Sequence, residues 1–149
     1  MLLRISQILR IDLLDERGFP LIIYDMKKRR IDKETLLSEK NVLKSAFLVA
    51  AIHGLTEGKR LTNIVTTEKE KYLLLKRGKF VLVITLSQDA DITSEKLQLF
   101  ARSLLYGVIE IHKRLGINPA DLFLEDYLEI ISDPFEKLVK KLIDRLKLV

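Results

Sequence analysis

Two histidines, His53 and His112, are the only imidazoles in the chain, and neither sits in the spacing of a metal-ligand or catalytic set. No H-E-x-x-H pattern occurs. Cysteine is absent, which excludes disulfides, thiolate nucleophiles, Cys-ligated zinc sites and iron–sulfur clusters. A metal site on His53 and His112 would need further convergent ligands. The plainer reading makes His53 a helix-terminal residue and His112 a partly exposed one. Neither G-x-x-x-x-G-K-[ST] nor a strand-following G-x-G-x-x-G is present, so the familiar phosphate cradles are missing. Gly54 and Gly58 read as turn glycines. Asp89 and Asp91 look like a carboxylate pair, which Asp25 could join in space. Acid–base work needs two carboxylates in different environments, whereas these fall in a solvated loop, where Asp commonly caps helices and forms turns. No catalytic, metal-binding or cofactor-binding residue is assigned, and the chain is read as a non-enzyme without cofactor.

The charged segments are the next candidates for a function. Lys27, Lys28, Arg29 and Arg30 form a basic patch that could meet a phosphate backbone. Nucleic-acid readers add stacking aromatics or a groove-reading helix, and only Tyr24 stands nearby, so a solvated loop is the preferred reading. Further on, Asp121, Glu125, Asp126, Glu129 and Asp133 form an acidic block without Lys or Arg. It is followed by Lys137, Lys140, Lys141, Arg145 and Lys147 against Glu136 and Asp144. A basic amphipathic helix there could dock on another chain or on an anionic membrane. Membrane-surface helices favour aromatic anchors, and Phe135 alone is present, so protein docking is preferred to either membrane or nucleic acid.

Composition sets the frame for these candidates. The 149 residues are 48% hydrophobic and 32% charged with a net charge of +5, the balance of one globular domain rather than a disordered chain. No stretch approaches the roughly 18 apolar residues of a membrane span. The opening Met1–Ser6 lacks the apolar core and cleavage site of a signal peptide, so a cytoplasmic location is expected. The abundance of Lys, Glu, Ile and Leu, without Cys or Trp, follows a thermophile trend.

The elements that must position these residues are legible from periodicity. Residues 8–15 alternate as a half-buried strand, 16–19 turn, and 20–24 return, completing a hairpin. A helix is expected from Asp32 or Ser38 to Gly54. Its segment 46–52 is apolar all round and must be covered on more than one side. Strands follow at 61–67, 71–76 and 79–86. The last is apolar on both faces over 80–84, as a central strand would be. Thr93 starts the clearest helix, with Leu97, Phe100, Leu104, Val108, Ile111 and Leu115 on one stripe and Gly116 ending it. Pro119 opens another helix to about 131, and Asp133 with Pro134 opens a last one.

The order of two strands, a helix, three strands and helices implies an α+β fold: a five-stranded antiparallel sheet flanked by helices on both faces, plus a C-terminal helical pair. With the stretch Gly58-Lys59-Arg60-Leu61-Thr62-Asn63-Ile64-Val65, the Lys-Arg-Gly turn and the apolar strand after it, this order resembles the longin fold. More broadly, it resembles the roadblock/longin and profilin-like group. The likeness spans about 8–116. Residues 1–118 form the longin-like unit, and 119–149 a helical extension packed on it. The resemblance implies a central last strand and a non-enzymatic adaptor or regulator, with a small GTPase or a larger assembly as partner. A PAS- or GAF-like small-molecule sensor is the alternative, with nucleic-acid binding third. The surplus of apolar helix predicts a homodimer through Leu48, Val49, Ile52, Phe135, Leu138 and Leu142, with Lys44 and His53 at its rim.

Overall fold

The computed structural model describes residues 3–38 and 62–149. Of the helix expected from Asp32 or Ser38 to Gly54, the described part is a single turn that Asp32 caps and Leu37 ends; its apolar segment 46–52 lies outside the described residues, as do Leu48, Val49, Ile52, Lys44 and His53. Alternating apolar residues build β1 (Ile8–Asp15) and β2 (Pro20–Asp25), joined by a tight turn. In that turn Asp15 Oδ1 accepts the N–H groups of Arg17 and Phe19, both at 2.9 Å. Gly18 takes a φ of 89°, which only glycine adopts without strain. A two-residue strand, β3 (Arg30–Ile31), and one helical turn, α1 (Lys33–Leu36), follow. The chain continues through β4 (Thr62–Thr66), β5 (Glu70–Arg77) and β6 (Phe80–Ser87).

All neighbouring strands pair antiparallel in the order β3-β2-β1-β6-β5-β4. The sheet therefore has six strands rather than the expected five. The additional one is β3, where Tyr24 pairs Ile31 and Asp25 pairs Arg30. Two residues are too few to show an alternating pattern, so the sequence conceals such a strand. β6 lies between β1 and β5, and Phe80 through Leu86 are all buried.

Alternation divides the β6 side chains between two cores. Phe80, Leu82, Ile84 and Leu86 join the larger cluster, with Ile11, Leu13, Leu73 and Leu75. Val81 and Val83 join a smaller one on the opposite face, with Leu14, Tyr72 and Leu74. The larger core is closed by α2 (Glu95–Leu115) and α3 (Leu124–Arg145). Ser94, not Thr93, caps α2 through its hydroxyl, and Gly116 ends it with a φ of 64°. Helical cover on both faces, as the sequence led us to expect, is thus described for one face.

The expected C-terminal pair is one continuous helix. Pro119–Asp121 makes only a 3-10 turn, and Pro134 lies inside α3. An interior proline costs about 3 kcal/mol. Beyond it, Phe135, Val139, Leu142 and Ile143 are buried, each contributing roughly 1.5–3 kcal/mol. Burial outweighs the proline, so the helix runs through. Asp133 consequently caps nothing and pairs with Lys137 at 3.0 Å on the exposed side.

Candidate functional site

Among the described residues, two of the concavities lie beside the helical face of the sheet. The larger, about 1010 Å³, opens at the turn end of the sheet, between the β1–β2 and β5–β6 turns and the loop after α2. Phe80, Leu21, Ile109, Ile117, Leu122 and Tyr127 line it, with Lys79 and Lys113 among its charged residues. Two large apolar side chains stand exposed beside it: Phe19, 59% exposed, and Phe123, 83% exposed.

His112 lies in its wall and is buried, not partly exposed as its sequence position suggested. The reason is its placement one residue from Ile111 on the inner face of α2, under Tyr127 from α3. Its Nδ1 lies 2.7 Å from the Val108 carbonyl and its Nε2 2.8 Å from the Tyr127 hydroxyl. A carbonyl can only accept, so Nδ1 carries the proton and Tyr127 donates to Nε2. The ring also packs on Phe80, with centroids 4.5 Å apart. Burial lowers the His112 pKa, partly opposed by the Val108 carbonyl, and raises that of Tyr127. The pair is neutral and hydrogen-bonded from two helices: a polar point in an apolar wall.

The second concavity, about 540 Å³, is a groove between α2 and α3. Leu99, Tyr106, Leu138, Leu142 and Leu146 supply its apolar surface, and Arg77, Arg102, Lys141 and Arg145 its charge, with no carboxylate among the described lining residues. None of these four cations has an ion pair among the described residues. The Arg77 guanidinium lies 5.5 Å from the centre of the Tyr106 ring, within cation–π range. Gly107 lets the two helices approach, since a Cβ there would stand 2.7 Å from Leu138 Cδ2.

The interface residues expected from sequence divide in three ways. Phe135 is fully buried against Tyr24, ring centroids 5.9 Å apart, and Leu142 is 5% exposed, so both face the domain's own core. Leu138 is half-buried at the helical groove. The other three lie outside the described residues. The basic patch forms the β2–β3 turn. Asp25 Oδ1 accepts from Lys27 N and Lys28 N, at 2.9 and 3.1 Å, and Arg29 has a φ of 57°. Lys27 to Arg30 are all exposed.

The acidic residues are engaged in local bonds. Asp89 accepts from the Ser87 hydroxyl at 2.6 Å, and Asp91 from the Thr93 hydroxyl at 2.6 Å. Those bonds hold both carboxylates below their ordinary pKa. Among the described residues, no group of three or more His, Asp or Glu is placed to hold a metal ion.

A partly buried polar pair escaped the sequence reading. On the face of the smaller core, Arg10 donates to both carboxylate oxygens of Asp12, each at 2.6 Å. The alternation of β1 placed Asp12 opposite its apolar residues, which gave no hint that its side would also be covered. Thr85 is paired with Arg10 across the strands, and its hydroxyl is buried without a hydrogen-bond partner among the described residues. No described helix is long and apolar enough to cross a membrane. No model of a known protein family matches the chain, and no curated protein matches it in sequence.

Proposed function

We propose that this chain is a non-enzymatic interaction module that seats an acidic, amphipathic segment of protein in the α2–α3 groove. One observation carries the reading: four cations with no ion pair among the described residues surround an apolar floor. A helix laid in such a groove would bury apolar residues at spacings of three and four and set its acids against the arginines. The apolar floor favours such a segment over nucleic acid, whose backbone offers charge without apolar side chains. The longin-like order of elements supports the same class of role, an adaptor or regulator of a small GTPase or a larger assembly. Helices on both faces of the sheet belong to that reading, as does a cytoplasmic location.

A synthetic helical peptide with Leu at three- and four-residue spacing and Glu on its flanks is the probe. Its fluorescence anisotropy should rise with micromolar protein, weaken with salt, and fall at least tenfold in affinity for the Lys141→Glu/Arg145→Glu variant. No binding, or equal binding to that variant, overturns the proposal.

A second reading is a small-molecule sensor at the turn-end cavity. Its volume of about 1010 Å³ reaches the upper end of ligand pockets, and His112 with Tyr127 supplies a polar point in its wall. Binding of a small apolar fluorophore, displaced or abolished by Tyr127→Phe with His112→Leu, would favour it.

A further inference from the structure

The turn-end cavity is apolar within and carries an excess of positive charge in its lining. We infer that it binds a monocarboxylate amphiphile, its apolar tail inside and its carboxylate held by Lys79 and Lys113. This rests on the second reading above, that the cavity takes a small molecule, and is independent of the α2–α3 groove.

The inner wall leaves a ligand almost nothing polar to bond. Phe80, Leu21, Ile109, Ile117 and Leu122 are apolar. The polar atoms of His112 and Tyr127 are spent on each other and on the Val108 carbonyl. The lone pair left on the Tyr127 hydroxyl belongs to a residue only 1% exposed. A polar head carried inside would lose its water without recovering the bonds, so the inner part of the ligand must be hydrocarbon. The volume, about 1010 Å³, is at the upper end of ligand pockets, which suits a chain rather than a single small ring. Phe19 stands exposed in the lining, and Phe123 lies exposed between two lining residues, Leu122 and Leu124.

Part of the charge in the lining is already cancelled. Asp15 accepts from the Arg17 guanidinium at 3.2 Å and from the N–H groups of Arg17 and Phe19. Lys79, Lys113 and Glu16 remain. Lys79 and Glu16 have no ion pair among the described residues. Lys113 meets Glu110 at 3.9 Å, with both side chains at least half exposed, and such a pair contributes little. The rings beside the two lysines bring them together. Lys79 precedes Phe80 and Lys113 follows His112, and those rings pack with centroids 4.5 Å apart. Both stems therefore start from one stretch of wall, and their ammonium groups can close on the same head. Two cations against one carboxylate leave a single positive charge. A carboxylate neutralises it, whereas a phosphate monoester, at about −1.5 to −2, exceeds it.

Titration of the full chain with dansylamino-undecanoate, a fluorescent fatty acid, is the test. Its emission should shift to the blue and saturate at micromolar protein. Decanoate should displace it at least tenfold more tightly than decanol, which has the tail without the charge. Lys79→Glu/Lys113→Glu should weaken the probe at least tenfold. Lys69→Glu/Lys96→Glu makes the same change of net charge at exposed lysines of the β4–β5 turn and the first turn of α2, and should stay within twofold. Leu122→Trp, and separately Ile117→Trp, should fill the cavity and abolish binding. Circular dichroism checks the fold of each variant. Decanol displacing as well as decanoate, or equal affinities for the two lysine variants, overturns the carboxylate and leaves the small-molecule reading standing. So does a chain that binds the apolar fluorophore but not this acid. A chain that binds neither, or binds the probe undisturbed by both tryptophans, overturns the inference and that reading together.

Discussion

Single side chains decide how the domain responds to pH. An unfolded histidine titrates near 6.5, and burial holds native His112 below that value. Between the native and unfolded pKa values, the unfolded chain binds more protons than the native one. Stability is therefore full above about pH 6.5 and falls as pH drops below it. Each pH unit costs up to about 1.4 kcal/mol until the native ring also charges. Protonation would also turn Nε2 into a donor, breaking the bond it accepts from Tyr127. Urea unfolding between pH 7 and 5 checks this. The wild type should lose stability on acidification, His112→Gln should lose less, and equal slopes would remove His112 as the cause. Thr85 offers a test in the opposite direction. A buried hydroxyl without a partner costs about 1–3 kcal/mol, and that of Thr85 has none among the described residues, so Thr85→Val should raise stability by about 1 kcal/mol in the same assay.

Elements show where local signals suffice and where packing overrides them. Alternation and turn glycines placed β1, β2, β5 and β6 within a residue or two, and the apolar stripe placed α2. The double-sided apolarity of 80–84 identified β6 as central, because only a strand covered on both faces can bury every residue. Three features resisted. β3 is too short to carry a pattern. His112 reads as polar, although its burial follows from a tyrosine 15 residues away. Pro134 reads as a helix start, since proline favours first turns, yet the apolar stripe continues unbroken from Tyr127 to Ile143. The basic groove was half legible: Lys141 and Arg145 stood out as a block, but Arg77 and Arg102 join them only through the fold. The proline yields a prediction of its own. Pro134→Ala returns an N–H to the Ile130 carbonyl and removes the ring's clash with it, at the cost of a freer unfolded chain. A net gain of about 1–2 kcal/mol is expected, read as a higher urea midpoint. A loss would show that α3 needs a bend there.

At the scale of the whole molecule, α3 belongs to the core rather than to an appendage. Tyr127, Leu128, Ile131, Phe135, Val139, Leu142 and Ile143 are buried in the same cluster as the sheet. The Ile31 N–H at the sheet edge donates to Glu136 at 3.1 Å, and the Ile5 N–H donates to the Val149 carbonyl at 2.8 Å. The helix thus ties down the edge strand and the beginning of β1's approach. Seven buried apolar side chains at roughly 1.5–3 kcal/mol each contribute at least about 10 kcal/mol, comparable with the 5–15 kcal/mol that holds a whole domain together. Without them the larger face of the sheet would open to water. A chain ending at Asn118 would also leave His112 Nε2 without its donor and expose Tyr24 and Ile31 to water. Such a truncation should fail to give a cooperative unfolding transition and should bind an apolar dye. In the full chain, limited proteolysis should leave the bond between Ser132 and Asp133 intact, although Ser132 is half-buried and Asp133 exposed. Rapid trimming there to a stable, cooperatively folding core of 1–118 would show α3 to be an accessory. The sheet would then have to bury its larger face by other means.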